Sequence, residues 1–102
     1  MHEPGRKDDK GKLRYSLIPP DALAWIARVL TDGAAKYGAH NWRKVRNRRE
    51  RYTDAMIRHV EAFRSGNWLD ESGAPHLAHV ATNAIFLLAI GQPRKKDNSG
   101  RK

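Results

Sequence analysis

The segment Pro75-His76-Leu77-Ala78-His79-Val80-Ala81-Thr82-Asn83-Ala84-Ile85-Phe86-Leu87-Leu88-Ala89-Ile90 constrains the fold more than any other stretch of this chain. It is the most apolar run in a hydrophilic sequence, and it carries two imidazoles and an amide. Wound as a helix at about 100° per residue, it brings His76, His79 and Asn83 within roughly 60° of one another. One stripe is polar and nearly all the rest is apolar. The pattern predicts a helix buried over most of its circumference, with the stripe lining an internal site or cleft where its polar groups find partners.

A chain of 102 residues supports one domain at most, and its Lys/Arg/Gly-rich ends leave about 80 residues to pack. A flexible arm over 1–12, a helical domain over 13–91 and a disordered basic tail over 92–102 is the expected division. About three helices fall short of the four that usually close a bundle. The expectation is therefore an all-α fold, a compact helical bundle with an extended N-terminal arm, completed by association into a homo-oligomer, dimer or tetramer. With no cysteine, disulfides, thiolate metal sites and a cysteine nucleophile are excluded. Met1 to Lys10 lacks the apolar core of a signal peptide. The longest apolar run is too short, and too interrupted by His and Asn, to span a bilayer, so a cytoplasmic protein is expected.

The formal charge of +9 favours polyanionic partners. Much of the excess lies in Arg43-Lys44-Val45-Arg46-Asn47-Arg48-Arg49-Glu50-Arg51 and in the tail from Arg94 to Lys102. Solvated surface, nucleotide phosphates and nucleic acid all remain open readings of these runs.

Residues 1–18 show no helical period, although Arg14-Tyr15-Ser16-Leu17-Ile18 alternates weakly and reads as a strap lying on the core. A first helix starts at Pro20-Asp21, where proline suits the first turn and the acid complements the helix dipole. Leu23, Ile26, Ala27 and Leu30 form its apolar face to about Thr31-Asp32. Gly33 is expected to interrupt it, with Tyr37-Gly38 as its final stop. The loop from Gly38 to Arg48 is aromatic and basic. Trp42 there is either a core plug or, with Tyr37, Asn41 and Lys36 nearby, part of a base- or phosphate-contacting loop.

A second helix is expected from about Arg49 to Arg64, stopping at Ser65-Gly66. Tyr52, Ala55, Met56, His59, Ala62 and Phe63 share one face, and Asp54, Arg58 and Glu61 lie on the other side. His59 therefore points inward, and the small Ala55 and Ala62 allow the histidine-bearing helix to come close. The connection from Gly66 to Pro75 places Asp70 and Glu71 just before that helix. Together with His59, His76 and His79 they form a candidate divalent-metal set. The competing reading is that Asp70 or Ser72 only caps the helix.

Several separated motifs carry a resemblance. Arg14 with Leu17, Pro19-Pro20, Ala22-Leu23, Gly33-Ala34-Ala35-Lys36-Tyr37-Gly38 with Asn41-Trp42, Arg58-His59, and Asp70-Glu71-Ser72-Gly73 with His76-Leu77-Ala78-His79 resemble the small phage-associated dATP/dGTP diphosphohydrolases. That family is placed with the MazG-like nucleoside triphosphate pyrophosphohydrolases, and the match spans about residues 10–90. The resemblance implies an all-helical catalytic domain over 13–91, resident in the host cytoplasm if phage-encoded. It also implies a divalent-metal cofactor, Mg2+ or Mn2+, or another transition metal given the histidines, and conversion of dGTP or dATP to the monophosphate and pyrophosphate. Larger MazG-like enzymes use Glu-x-x-Glu and Glu-x-x-Asp pairs. Here the nearest equivalents are Arg58-x-x-Glu61 and His76-x-x-His79, so the metal set is taken as His59, Asp70, Glu71, His76 and His79.

On that resemblance, His79 or Glu71 is the base that holds the attacking water. Lys36, Arg43 or Arg58 is the charge clamp, Tyr37, Asn41 and Trp42 contact base or sugar, and Arg14 joins the substrate-binding set. No serine or threonine stands in a nucleophile context, and no glycine-rich phosphate loop is present. A small basic dimeric DNA- or RNA-binding regulator is the alternative from a different class, and a hydrolase releasing intact triphosphate is a third.

Overall fold

The computed structural model describes residues 4–91, and three helices carry the fold. The first, α1, runs over Pro20–Tyr37 with proline at its start, Asp21 in its first turn and Lys36 in its last. It passes through Gly33 without a break, because one mid-helix glycine costs only about 1 kcal/mol. The expected interruption there is corrected. Gly38 ends α1 at φ 94°, a conformation open to glycine, and its N–H donates to Ala34 O at 2.8 Å.

The inward face of α1 also differs from the expected one. Ile26, Val29, Gly33 and Ala34 are half-buried, whereas Leu23, Ala27 and Leu30 are exposed. Apolar spacing fixed the existence of a stripe, but the neighbour decided which edge of it was covered. The strap expected before α1 is a single 3-10 turn, Tyr15–Leu17, and Leu13, Tyr15 and Leu17 beside it stand out in solvent rather than against a core.

After Gly38 a 3-10 turn, Asn41–Lys44, leads into α2 over Arg48–Arg64. His40 at φ 65°, just before the turn, and Asn47 at φ 53°, just before α2, sit in the left-handed region. Tyr52 donates its hydroxyl proton to Trp42 O at 2.8 Å and so fastens the turn to α2. Helix α3, His76–Ile90, ends at Gly91 and packs mainly against α2, and secondarily against α1. Tyr52, Thr53, Ala55, Met56, His59, Val60 and Ala62 are the half-buried positions of α2, and Tyr52 and His59 meet Phe86, His76 and His79 of α3.

The burial expected for α3 is corrected. Its buried positions are His76, Ala78, Thr82 and Asn83, while Leu77, Ile85 and Leu88 lie on the outside, Leu88 at 80% exposure. Two neighbouring helices cover one side of a helix and no more. The polar stripe took the centre of that side, Val80, Phe86, Leu87 and Ile90 are half-buried at its margins, and Leu77, Ile85 and Leu88 have no cover within the described residues. Ala74, Pro75 and Ala78 are the buried apolar residues among those described. The disordered tail expected over 92–102, and the first three residues of the arm, lie outside the described residues.

Candidate active site

Three elements converge on one group of side chains: His59 from α2, His76 and His79 from α3, and Asp70 from the connection between the helices. That connection folds back on itself. Leu69 and Pro75 form an antiparallel bridge, His76 N–H donates to Trp68 O at 2.9 Å, and Asp70 N–H donates to Ala74 O at 2.7 Å. Gly73, at φ 93°, closes the turn with its N–H on Asp70 O. The Asp70 carboxylate accepts the Ser72 N–H at 3.0 Å, an Asx turn that aims it down at the start of α3. Neither Asp70 nor Ser72 caps α3, whose boundary residue is Pro75 with no side-chain cap.

His59 Nδ1 and His76 Nδ1 face each other at 2.9 Å. The His59 ring also stacks on His79, with centroids 4.5 Å apart and planes at 12°. His79 Nε2 lies 3.4 Å from both Asp70 Oδ2 and Ser72 Oγ. His59, Asp70 and His76 each offer a ligand atom, and these atoms all lie within 4.8 Å of one another. His76 Nε2 is buried without a hydrogen-bond partner among the described residues. An orphaned buried ring nitrogen costs on the order of 1–3 kcal/mol, so this donor set fits a cation better than it fits an empty interior.

Charge in the group follows from its surroundings. Burial, then the neighbouring imidazole of His79, hold His59 below the ordinary histidine range and so favour its neutral, ligating form. Burial pushes the Asp70 carboxyl up. The Ser72 N–H and hydroxyl, and the imidazoles of His79 and His59, outweigh that and hold it below the usual carboxylate range.

Beside the group lies a cavity of about 930 Å³ between the C-terminal half of α1, the 3-10 turn, α2 and α3. Its walls include Tyr37, Asn41, Trp42, Ala55, Arg58 and Asn83. Ala55 is one turn from His59 on α2, and Asn83 is one turn from His79 on α3, donating Nδ2–H to His79 O at 2.8 Å. Cavity and histidine group are thus successive levels between the same two helices. The volume suits a small organic ligand.

Residues 2–99 match the family described as dATP/dGTP diphosphohydrolase, N-terminal. The chain belongs to that family. It is also similar to a protein of Salmonella phage PMBT28 named dATP/dGTP diphosphohydrolase, at 43% identity over 98 residues, 95% of this chain and 33% of that protein. The chain thus spans about a third of the relative's length. No solved structure matches it.

In this member of the dATP/dGTP diphosphohydrolase family, the residues singled out from the sequence fall into three places. His59, Asp70, His76 and His79 come together. Tyr37, Asn41, Trp42 and Arg58 line the cavity. Glu71 is exposed beside the loop and outside the close group, and Arg14, Lys36 and Arg43 are exposed and line neither the group nor the cavity. Trp42 is half-buried and packed by its own chain: Phe86 stacks on it with centroids 4.5 Å apart, and the Arg43 guanidinium lies 4.4 Å from its ring centroid. Both contacts use its ring faces, as a core plug does. Glu61 is exposed and bonded to Arg64 at 3.0 Å.

The sequence reading missed Ser72 as a partner of Asp70 and His79, and it missed Asp54 and Asn83 as cavity walls. Asn83 was visible in the polar stripe of α3. Helical spacing puts Asp54 on the far side of α2, and only the packing of α1 on α3 and of the 3-10 turn on α2 makes that side the wall of a cavity.

Proposed function

We propose that this chain forms the catalytic part of a metal-dependent nucleotide pyrophosphohydrolase that converts a purine deoxynucleoside triphosphate, dGTP or dATP, to the monophosphate and pyrophosphate, in the manner of MazG-like enzymes. The observation that carries the reading is the stacking of a ligand-sized cavity one helical turn from a His59/Asp70/His76 donor set. Such an arrangement receives a nucleoside in the cavity and its phosphates at the donors. Family membership and the relative's name support a nucleotide substrate.

His59, Asp70 and His76 would hold a divalent ion, Mg2+ or Mn2+ or a transition metal that suits imidazole. When bound there it supplies Lewis-acid polarisation of the phosphoryl group and offsets triphosphate charge. The chain's own residues supply the rest. His79 turns Nε2–H toward Asp70, which leaves Nδ1 with the lone pair that takes a proton from the attacking water. Water attacks the α phosphorus, the bond to the α–β bridging oxygen breaks, and pyrophosphate leaves with that oxygen. Arg58, on the cavity wall and next in sequence to His59, offsets the charge of the leaving group.

The exposed stripe Leu77, Ile85 and Leu88, and the exposed Leu23, Trp25 and Leu30 of α1, support a homo-oligomer, dimer or tetramer. Among the described residues no helix is long and apolar enough to cross a membrane, which agrees with a host-cytoplasmic enzyme.

Incubation with each nucleoside triphosphate and several divalent ions, in water enriched in oxygen-18, tests the reaction. The label should appear in the monophosphate. Label confined to pyrophosphate, or release of intact triphosphate, would rule the reading out.

A further inference from the structure

The cavity has polar walls that the reaction above does not use. Along α2, Arg51 and Asp54 line it beside Arg58, the charge clamp of that reaction, which leads to His59 in the metal-binding group. Asp54 makes no ion pair within 4.0 Å among the described residues, although arginines stand three positions before it and four after. Its carboxylate is therefore available to a ligand. Asn83, at 8% exposure, gives one Nδ2–H to His79 O and keeps Oδ1 as a further acceptor on the α3 wall. Tyr37 offers a ring that no other aromatic side chain among those described covers. The Trp42 ring is already stacked on Phe86 and has the Arg43 guanidinium over it.

We infer that Asp54 and Arg51 read the base, and that they select guanine over adenine. Guanine presents N1–H and N2–H2 side by side, and both oxygens of one carboxylate accept them in parallel. Its O6 lies next to N1–H and takes a donor, which the Arg51 guanidinium supplies one turn away from Asp54. Adenine reverses the pattern. Its N1 lone pair opposes a carboxylate oxygen, and its N6–H2 replaces the acceptor that Arg51 requires. The order along α2 matches the order along a guanine nucleotide: Arg51 and Asp54 at the base, Arg58 and then His59 toward the phosphates. The inference rests on the reading that the nucleoside half occupies the cavity.

The test substitutes Asp54→Asn, an isosteric change at an exposed position of α2. An amide oxygen and NH2 match adenine N6–H2 and N1, and set an NH2 against guanine N2–H2. We measure kcat/KM for dGTP and dATP with wild type and variant, and the dissociation constants of dGMP and dAMP for both proteins. The wild type should prefer guanine. The variant should lower the dGTP/dATP ratio more than threefold, on the order of tenfold, through a fall for dGTP with dATP equal or better. A ratio within threefold of wild type, a parallel fall for both nucleotides, or an adenine preference in the wild type would overturn the assignment. If neither triphosphate is hydrolysed, the pyrophosphohydrolase reading fails by itself, and the monophosphate constants decide the inference. The same shift in the dGMP/dAMP ratio then upholds it, and no shift, or no binding of either, overturns it.

Discussion

His59 and His76 meet nitrogen to nitrogen across the α2–α3 contact, Nδ1 to Nδ1 at 2.9 Å. Two imidazole nitrogens at that distance share one proton, or turn their lone pairs to one cation. In either case the other ring nitrogen of His76, the buried Nε2, has no hydrogen-bond partner among the described residues. Around this pair, His79 stacks on His59 and reaches Asp70, so four side chains from three segments act as one unit.

Metal retention should follow that geometry. His79 orients Asp70 from 3.4 Å rather than belonging to the tightest ligand group. His79→Ala is expected to weaken divalent-ion binding by about 10- to 100-fold, as loss of an orienting partner does, with turnover falling by more because its proton acceptor is gone as well. Asp70→Asn should be worse for binding, and Glu61→Ala and Glu71→Ala should be near neutral. Calorimetric titration of the metal-free protein with Mn2+ separates these outcomes. Wild-type affinity in His79→Ala would refute the assignment.

Stability of the metal-free protein should depend on pH in a predictable sense. His59 is held below its ordinary value of 6.5, so as pH falls through about that value the unfolded chain takes up a proton that the folded chain refuses. The unfolded state then binds more protons, and stability declines with falling pH from about 6.5 down to the folded value, while above that window this contribution is complete. Asp70 acts in a lower window. Its stabilisation is present above about 3.8 and is lost as pH falls below it. Urea unfolding at a series of pH values in chelator should show the first slope in wild type and not in His59→Gln.

Trp42 should be read out as stability. Trp42→Ala removes the ring that stacks on Phe86 and lies under Arg43, keeps the backbone carbonyl that Tyr52 grips, and should cost about 3 kcal/mol in denaturant unfolding. Trp42→Phe should recover most of it. A fully stable Trp42→Ala variant with selectively weakened nucleotide binding would instead make the ring a base contact.

Association should depend on the outer face of α3. Leu88→Lys places a charge at a position 80% exposed in the single chain and should weaken self-association by tenfold or more without loss of helicity. Sedimentation velocity across a concentration series measures this. A wild-type protein that stays monomeric and folded at high concentration would refute the oligomer.

Sequence by itself determined the helices and most of their ends, because those signals are local. Proline at 20, glycines at 38 and 91 and the Ser65-Gly66 stop act on their own backbone, and helical spacing alone put His76, His79 and Asn83 on one stripe. Tertiary structure decided what each stripe met. Asp70 and Glu71 are adjacent, and only the hydrogen bonds of the folded-back loop turn the first inward and leave the second in solvent. Asp54 became a cavity wall because α1, packed on α3, and the 3-10 turn stand across an open gap from that side of α2. Leu88 stayed outside because α1 and α2 cover only the opposite side of α3. Periodicity states that a face exists, and long-range packing, which no local spacing encodes, chooses its partner.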